Sequence, residues 1–366
     1  MKLSRLAHMM CCLGVAVPSW SVPYYLVQSI GPVGYESKAT GINDAGMVVG
    51  NYELPDGTYR TFVWQNGVVT PLGTPPQAIN ARGMAINENG QVAGYIDTAS
   101  GPQVALWSNL PSPVILGNGY AMAINANGDL AGMRIGPDGN GTAFVTQNGA
   151  ETSLGQPAGG DWSKTTGVNG AGDAAGTAMT SDGAMRALSV VNGTTTVLAG
   201  IGGANSYANG INDAGLVAGS AQLAGGAMRA VIWNGIAPTI LGSLGGMNSY
   251  AYAVNNNGSV VGYGDLAGDG GTAAFVFDGG ALYDLNLRIS GDSGWRLLDA
   301  MAVNASGQIV GRGLFEGVEQ AYLLTPITPL AAADAVELAD VPEPRTLLLM
   351  GAALMSLLVL RGGPKR

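Results

Sequence analysis

From Tyr24 to about Pro326 the chain alternates short, β-branched apolar runs with clusters of Asn, Gly and Asp. Seven stretches share one order of positions: a small residue, Ile or Val, Asn, two variable residues, Gly, three variable residues, Gly. The first is Gly41-Ile42-Asn43-Asp44-Ala45-Gly46-Met47-Val48-Val49-Gly50, and the others begin at Ala85, Ala123, Gly167, Gly210, Ala253 and Ala302. Self-similarity at a period of about 43 residues marks a repeat architecture.

Asn-x-x-Gly between two apolar runs predicts a hairpin. The Asn side chain accepts from the backbone two residues on, and the Gly takes the positive φ that a type I turn with a bulge needs. Asn43, Asn87, Asn125, Asn169, Asn212, Asn255 and Asn304 are therefore expected to be turn formers. The second Gly of each copy (Gly50 in the first, Gly311 in the last) falls in the next strand, where a missing side chain predicts a bulge or a close backbone approach. An apolar run follows, such as Phe62-Val63-Trp64 or Val231-Ile232-Trp233, then a turn and a strand ending in Leu-Gly, as at Leu72-Gly73 and Leu241-Gly242. Trp64, Trp107 and Trp233 on these runs are expected in the core between repeats. Four short strands per copy is the size of a propeller blade.

The two ends are complementary. The last copy has no Leu-Gly strand after Pro326, and Tyr24-Tyr25-Leu26-Val27-Gln28-Ser29-Ile30-Gly31 looks like the missing piece. The expectation is an all-β, seven-bladed β-propeller of four-stranded blades closed by the N-terminal strand, since an open solenoid would want distinct caps. The strand entering each Asn is then innermost. Counting back in twos from its small residue gives a small face (Ser37, Ala39, Gly41; Ser249, Ala251, Ala253), as crowding near an axis would demand. Three residues before the small one stand Lys38, Arg82, Tyr120, Lys164, Tyr207, Tyr250 and Asp299, which would form one ring near the mouth of a central channel.

Composition agrees: of 366 residues 59 are Gly and only 11% are charged, which suits many short strands. The net charge of −9 leaves no electrostatic footprint for nucleic acid.

Residues 1–21 read as a secretory signal: Lys2 and Arg5, an apolar core from Leu6 to Val17, and small residues near Ser19 and Ser21. Both Cys and the one His fall inside it, so the exported domain, 22–328, would hold together by packing and closure rather than disulfides. A linker, 329–340, leads to a tail, 341–366, with Pro342-Glu343-Pro344, a charge-free stretch from Thr346 to Leu360 expected as a short hydrophobic helix, and Arg361, Lys365 and Arg366. That stretch is short for a membrane span of about 20 residues. The trailing cations would hold its end on the cytoplasmic side. This tail resembles the PEP-CTERM sorting signal of Gram-negative bacteria. The resemblance implies an exosortase as partner, transient inner-membrane anchoring through Thr346 to Leu360, removal of the tail, and release to the cell surface or extracellular matrix. An ordinary tail anchor is the other reading.

Leu241-Gly242-Ser243-Leu244-Gly245-Gly246, Ser249, Ala251, Asn255, Gly258, Val261-Gly262 and Ala274-Phe275 resemble the extracellular HAF-repeat family. The resemblance spans roughly Tyr24 to Pro326 and implies secretion and a repeat fold. The namesake His is replaced by Arg186, Arg229 and Ala273.

Without Cys or His in the exported part, imidazole-based triads and nearly all transition-metal sites are excluded. Asp161, Asp299, Glu36 and Asp284 are carboxylates from which a glycosidase or lyase could draw a pair. Asp138, Asn140, Asp265 and Asp269 offer oxygen ligands for calcium, but without the spacing of a calcium loop; plain turns, and no cofactor, are expected. Trp162 and Trp295 lie on segments entering inner strands, beside Lys164 and Arg296, where they could stack on sugars or cover blade ends. Two functions follow: a non-catalytic surface or biofilm-matrix propeller, either structural or binding anionic exopolysaccharide through the ring and these Trp, or a carbohydrate-active enzyme working through Asp and Glu.

Overall fold

The computed structural model describes residues 23–327 other than 110–111, 157 and 269. These residues form seven antiparallel four-stranded sheets, the blades of an all-β propeller. Their inner strands, blades 1 to 7 in order, are Ser37–Ile42, Ala78–Ile86, Tyr120–Ile124, Gly159–Val168, Gly202–Ile211, Gly245–Val254 and Trp295–Val303. In blade 7 the outer strand is Tyr24–Ser29, antiparallel to Val318–Ile327. A single 3-10 turn, Leu285–Arg288, is the one helical element among the described residues, and none there is long and apolar enough to cross a membrane. The signal, the linker, Pro342-Glu343-Pro344 and the hydrophobic tail helix expected from the sequence lie outside the described residues.

The hairpins form as their chemistry dictates. In blade 1, Gly46 N donates to Asn43 O and Asn43 N to Met47 O, both at 3.0 Å, with Gly46 at φ 75°. Asn43 Oδ1 accepts from Met47 N at 2.8 Å. The equivalent Asn oxygen accepts from the fourth residue on in every blade.

The second Gly answers to a bulge in the neighbouring strand. In all seven blades the register slips by one residue just before the small position, as between Ala39 and Gly41 or Ala300 and Ala302. The bulge presses the ring residue's carbonyl against that Gly. A Cβ on Gly94 would sit 2.0 Å from Arg82 O, and the same clash recurs from Gly50 to Gly311.

The core is divided into seven apolar wedges, one between each pair of adjacent blades. Trp64, Trp107 and Trp233 fill three of them, as expected; the indole N–H of Trp107 donates to Gly73 O and that of Trp233 to Ala199 O. The small face of the inner strand is corrected by this packing. Gly41, Gly167 and Gly210 do press against the next inner strand, where a Cβ would meet backbone at 3.1–3.3 Å. Ser37 and Ala39, by contrast, turn away from the axis into the interblade wedge. There Ser37, Ser163, Ser206 and Ser249 accept from the backbone N–H of Ala321, Ala143, Ala187 and Ala230 in the preceding blade. A serine oxygen suits the place because a buried N–H left without a partner costs about 1–3 kcal/mol.

Candidate binding site at the channel mouth

Each predicted ring residue pairs across the hairpin with the residue after the second Gly. Lys38 faces Asn51, Arg82 faces Tyr95, Tyr120 faces Met133 and Lys164 faces Thr177. Tyr207 faces Ser220, Tyr250 faces Tyr263 and Asp299 faces Arg312. The seven therefore stand at one register level of the inner strands. Six are half-buried and Asp299 is 6% exposed.

A channel cavity of about 450 Å³ is lined by residues from all seven inner strands, among them Thr40, Met84, Thr166, Lys164, Tyr252 and Met301. A second cavity of about 290 Å³ shares Thr40, Met84 and Met301 with it and lies beside blades 7, 1 and 2. Its wall carries Lys38, Arg82 and Arg312 together with Glu36, Glu53 and Glu319.

The cations differ in how far they are already engaged. Asp299 Oδ2 lies 2.9 Å from Arg312 Nη2 and 3.9 Å from Lys38 Nζ. Arg312 Nη1 reaches Glu319 at 3.2 Å. Lys38, expected to be a free ligand contact, is thus tied to a neighbouring carboxylate, since an acidic ring member came to lie beside it. Arg82 and Lys164 have no carboxylate within ion-pair distance among the described residues. Arg82 rests on the Tyr59 ring at 3.7 Å, and Lys164 Nζ lies 5.7 Å from the Trp162 ring. Aromatic faces hold cations in place without neutralising them.

Burial pushes the Lys164 ammonium below the usual lysine range. The folded state then releases its proton before the unfolded chain does, so stability rises with pH from that lowered value towards the ordinary one. Lys164→Met is expected to raise the melting temperature by a few degrees at neutral pH and to flatten this rise. Thermal melts between neutral and strongly alkaline pH would show it, and an unchanged slope would count against a desolvated ammonium.

Aromatic residues occupy other parts of the mouth. Tyr250 stacks on Tyr263 at 4.9 Å, Tyr252 lies 5.6 Å from Tyr263, and Tyr120 meets Tyr95 edge-on at 4.8 Å. Trp162 is half-buried beside Lys164. Trp295 packs instead on Phe315 and Tyr322, at 5.1 and 6.1 Å, as a cover for the blade 7 wedge.

The remaining candidates are scattered. Asp161 is exposed on blade 4. Asp284 ends the outer strand of blade 6 and caps the 3-10 turn through Asn286 N. Glu36 lines the second cavity, and Asp299 is held by Arg312. Asp138 accepts from Asn140 N and Nδ2 in its own turn, and Asp265 from Asn248 N and Nδ2. Asp269 lies outside the described residues. Arg229, at a position of the missing His, donates to Met228 O in its own blade and to Met247 O in the next; Arg60 does the same to Tyr59 O and Ile79 O. These guanidiniums bridge blades.

Sequence reasoning missed Arg312, Glu319, Tyr59, Tyr95 and Tyr263. Three of these were within reach: Tyr95, Tyr263 and Arg312 directly follow the second Gly of their repeats, and a period-two strand places that position opposite the ring.

No protein-family model matches the sequence, and no curated protein is similar to it. Solved structures do share the architecture. The β-propeller domain of the Trilobed protease from Pyrococcus furiosus, which has an open velcro topology, aligns with a TM-score of 0.51 at 10% identity over 85% of this chain and 98% of that one. The acylaminoacyl peptidase of Pyrococcus horikoshii aligns with a TM-score of 0.50 at 12% identity over 83% of this chain and 54% of that one. At such identities the likeness concerns the fold alone: the chain is a seven-bladed β-propeller.

Proposed function

We propose that this propeller is an exported surface or matrix protein that binds anionic exopolysaccharide, without cleaving it, at the channel mouth. The observation that carries the reading is the pair Arg82 and Lys164, two half-buried cations at one register level, each on an aromatic face and without a carboxylate partner among the described residues. A uronate or phosphate would supply the missing anion, and the neighbouring tyrosines offer apolar ring faces to sugar. Each charge-assisted hydrogen bond is worth about 1.5–3 kcal/mol, so Arg82→Ala with Lys164→Ala should weaken binding by about 100-fold or more. Calorimetry with polygalacturonate oligomers measures this. Unchanged affinity in the double variant would remove the site, and new reducing or unsaturated ends after incubation would favour the lyase or glycosidase reading.

Export and sorting rest on the sequence of the two ends. With Pro342→Ala and Glu343→Ala the protein is expected to stay in the inner-membrane fraction at a larger apparent mass. An identical distribution of variant and wild type between membrane and culture medium would count against exosortase processing.

A further inference from the structure

The second cavity holds more charge than anion binding requires. Lys38 and Arg312 are matched by Asp299 and Glu319 in one connected network. What remains on the wall is one cation, Arg82, and two carboxylates, Glu36 and Glu53, with no cation within ion-pair distance of either among the described residues. Arg82 and Glu53 flank the same aromatic side chain. The guanidinium lies 3.7 Å from the Tyr59 ring, and the Tyr59 hydroxyl donates to Glu53 Oε2 at 2.7 Å. Both charged groups are half-buried, one over the face of the ring and one at its hydroxyl, and they form no ion pair with each other. Glu53 N donates to Glu36 O, which brings the second carboxylate's backbone to the same edge. Opposite charges held against one tyrosine without meeting each other, in a cavity of about 290 Å³, ask for a ligand that carries both signs on adjoining groups.

We propose that this cavity recognises a zwitterionic unit, its acidic group on Arg82 and its free ammonium on Glu53, carried by a glycan in which an unacetylated amino sugar adjoins a uronate. The proposal rests on the reading of the mouth as a site for acidic glycan and narrows its substrate class. The same pair of charges occurs in a free amino acid, and the probes must separate the two sources.

The test compares an alternating N-acetylglucosamine–glucuronate tetrasaccharide, which carries carboxylates only, with its de-N-acetylated form, which carries both charges. Titration calorimetry at slightly acid pH keeps the amines protonated. The de-N-acetylated form is expected to bind about tenfold more tightly although its net charge is zero, the reverse of what a purely anion-seeking site would do. Glu53→Gln is expected to abolish that preference, so that the de-N-acetylated form binds no more tightly than the acetylated one. Equal or weaker binding of the de-N-acetylated form to the wild-type protein overturns the inference while leaving the acidic-glycan reading in place, and needs no variant. A preference that survives in Glu53→Gln also overturns it. Absence of binding by either form overturns the broader reading along with this one. Glycine binding as tightly as the tetrasaccharide would overturn the glycan as the carrier.

Discussion

Removing Pro23–Ile30 is expected to cost on the order of 5 kcal/mol or more, a large share of the 5–15 kcal/mol that holds a typical domain folded. Two effects add. Tyr25 and Ile30, 6% and 1% exposed, leave the wedges on the two sides of blade 7, at about 1.5–3 kcal/mol each. The strand Val318–Ile327 also loses its partner along the six residue pairs from Tyr24–Ile327 to Ser29–Tyr322. Its exposed edge would then offer a template for intermolecular pairing. The truncated protein should melt far below the intact one and run as oligomers on size exclusion. A peptide spanning Tyr24–Gly31 should restore the melt by taking the vacant edge. If truncation leaves the melting temperature unchanged, the ring does not depend on its N-terminal strand for closure, and the interblade contacts alone hold it.

The second large effect concerns the repeat asparagines. Each does two things at once. Its Oδ1 closes its own hairpin, and its Nδ2 donates to the backbone oxygen of the equivalent Asn in the next blade, at 2.9–3.2 Å. The chain of donations runs from Asn43 through Asn87, Asn125, Asn169, Asn212 and Asn255 to Asn304, and from Asn304 back to Asn43. All seven side chains are buried, between 3% and 6% exposed. Asn212→Ala removes the partner of two backbone N–H groups, Ala214 and Leu216, and of one carbonyl, Asn255. At about 1–3 kcal/mol for a buried group left unmade, the loss should be about 2 kcal/mol or more, most of it from the buried Asn255 carbonyl, since the two turn N–H groups are partly open to water. Asn212→Asp separates the two roles. The carboxyl still accepts from the turn but now opposes the Asn255 carbonyl, so its ionisation in the folded state is disfavoured and its folded pKa lies above the unfolded one. Stability should then be greatest in acid and fall as pH rises through that value. Denaturant melts at several pH values test this, and a flat profile would show that the Nδ2 donation contributes nothing.

The candidate site was legible only in part, and the division follows the range of the interactions. The register count from each Asn placed Lys38, Arg82, Tyr120, Lys164, Tyr207, Tyr250 and Asp299 at one level, because a strand's period of two is a local property. Which of those cations remain uncommitted was not legible. Lys38 and Asp299 are far apart in the chain and adjacent only because blade 7 packs against blade 1, and that contact ties Lys38 to a carboxylate. Trp295 shows the same limit. An additional register slip between Leu297 and Asp299 breaks the simple alternation of its strand, and the indole lies on Phe315 and Tyr322.

By itself the sequence determined the repeat, the hairpin at each Asn-x-x-Gly, the strand count per blade and the ring's register. All of these depend on backbone preferences within a few residues and on the alternation of side chains along a strand. Tertiary structure alone decided the second use of the asparagines, the turning of Ser37 and its equivalents into the wedges, and the charge balance at the mouth. Each of those depends on a partner in an adjacent blade, 19 or more residues away or at the far end of the chain, and such partners meet only when seven blades are set side by side around one axis.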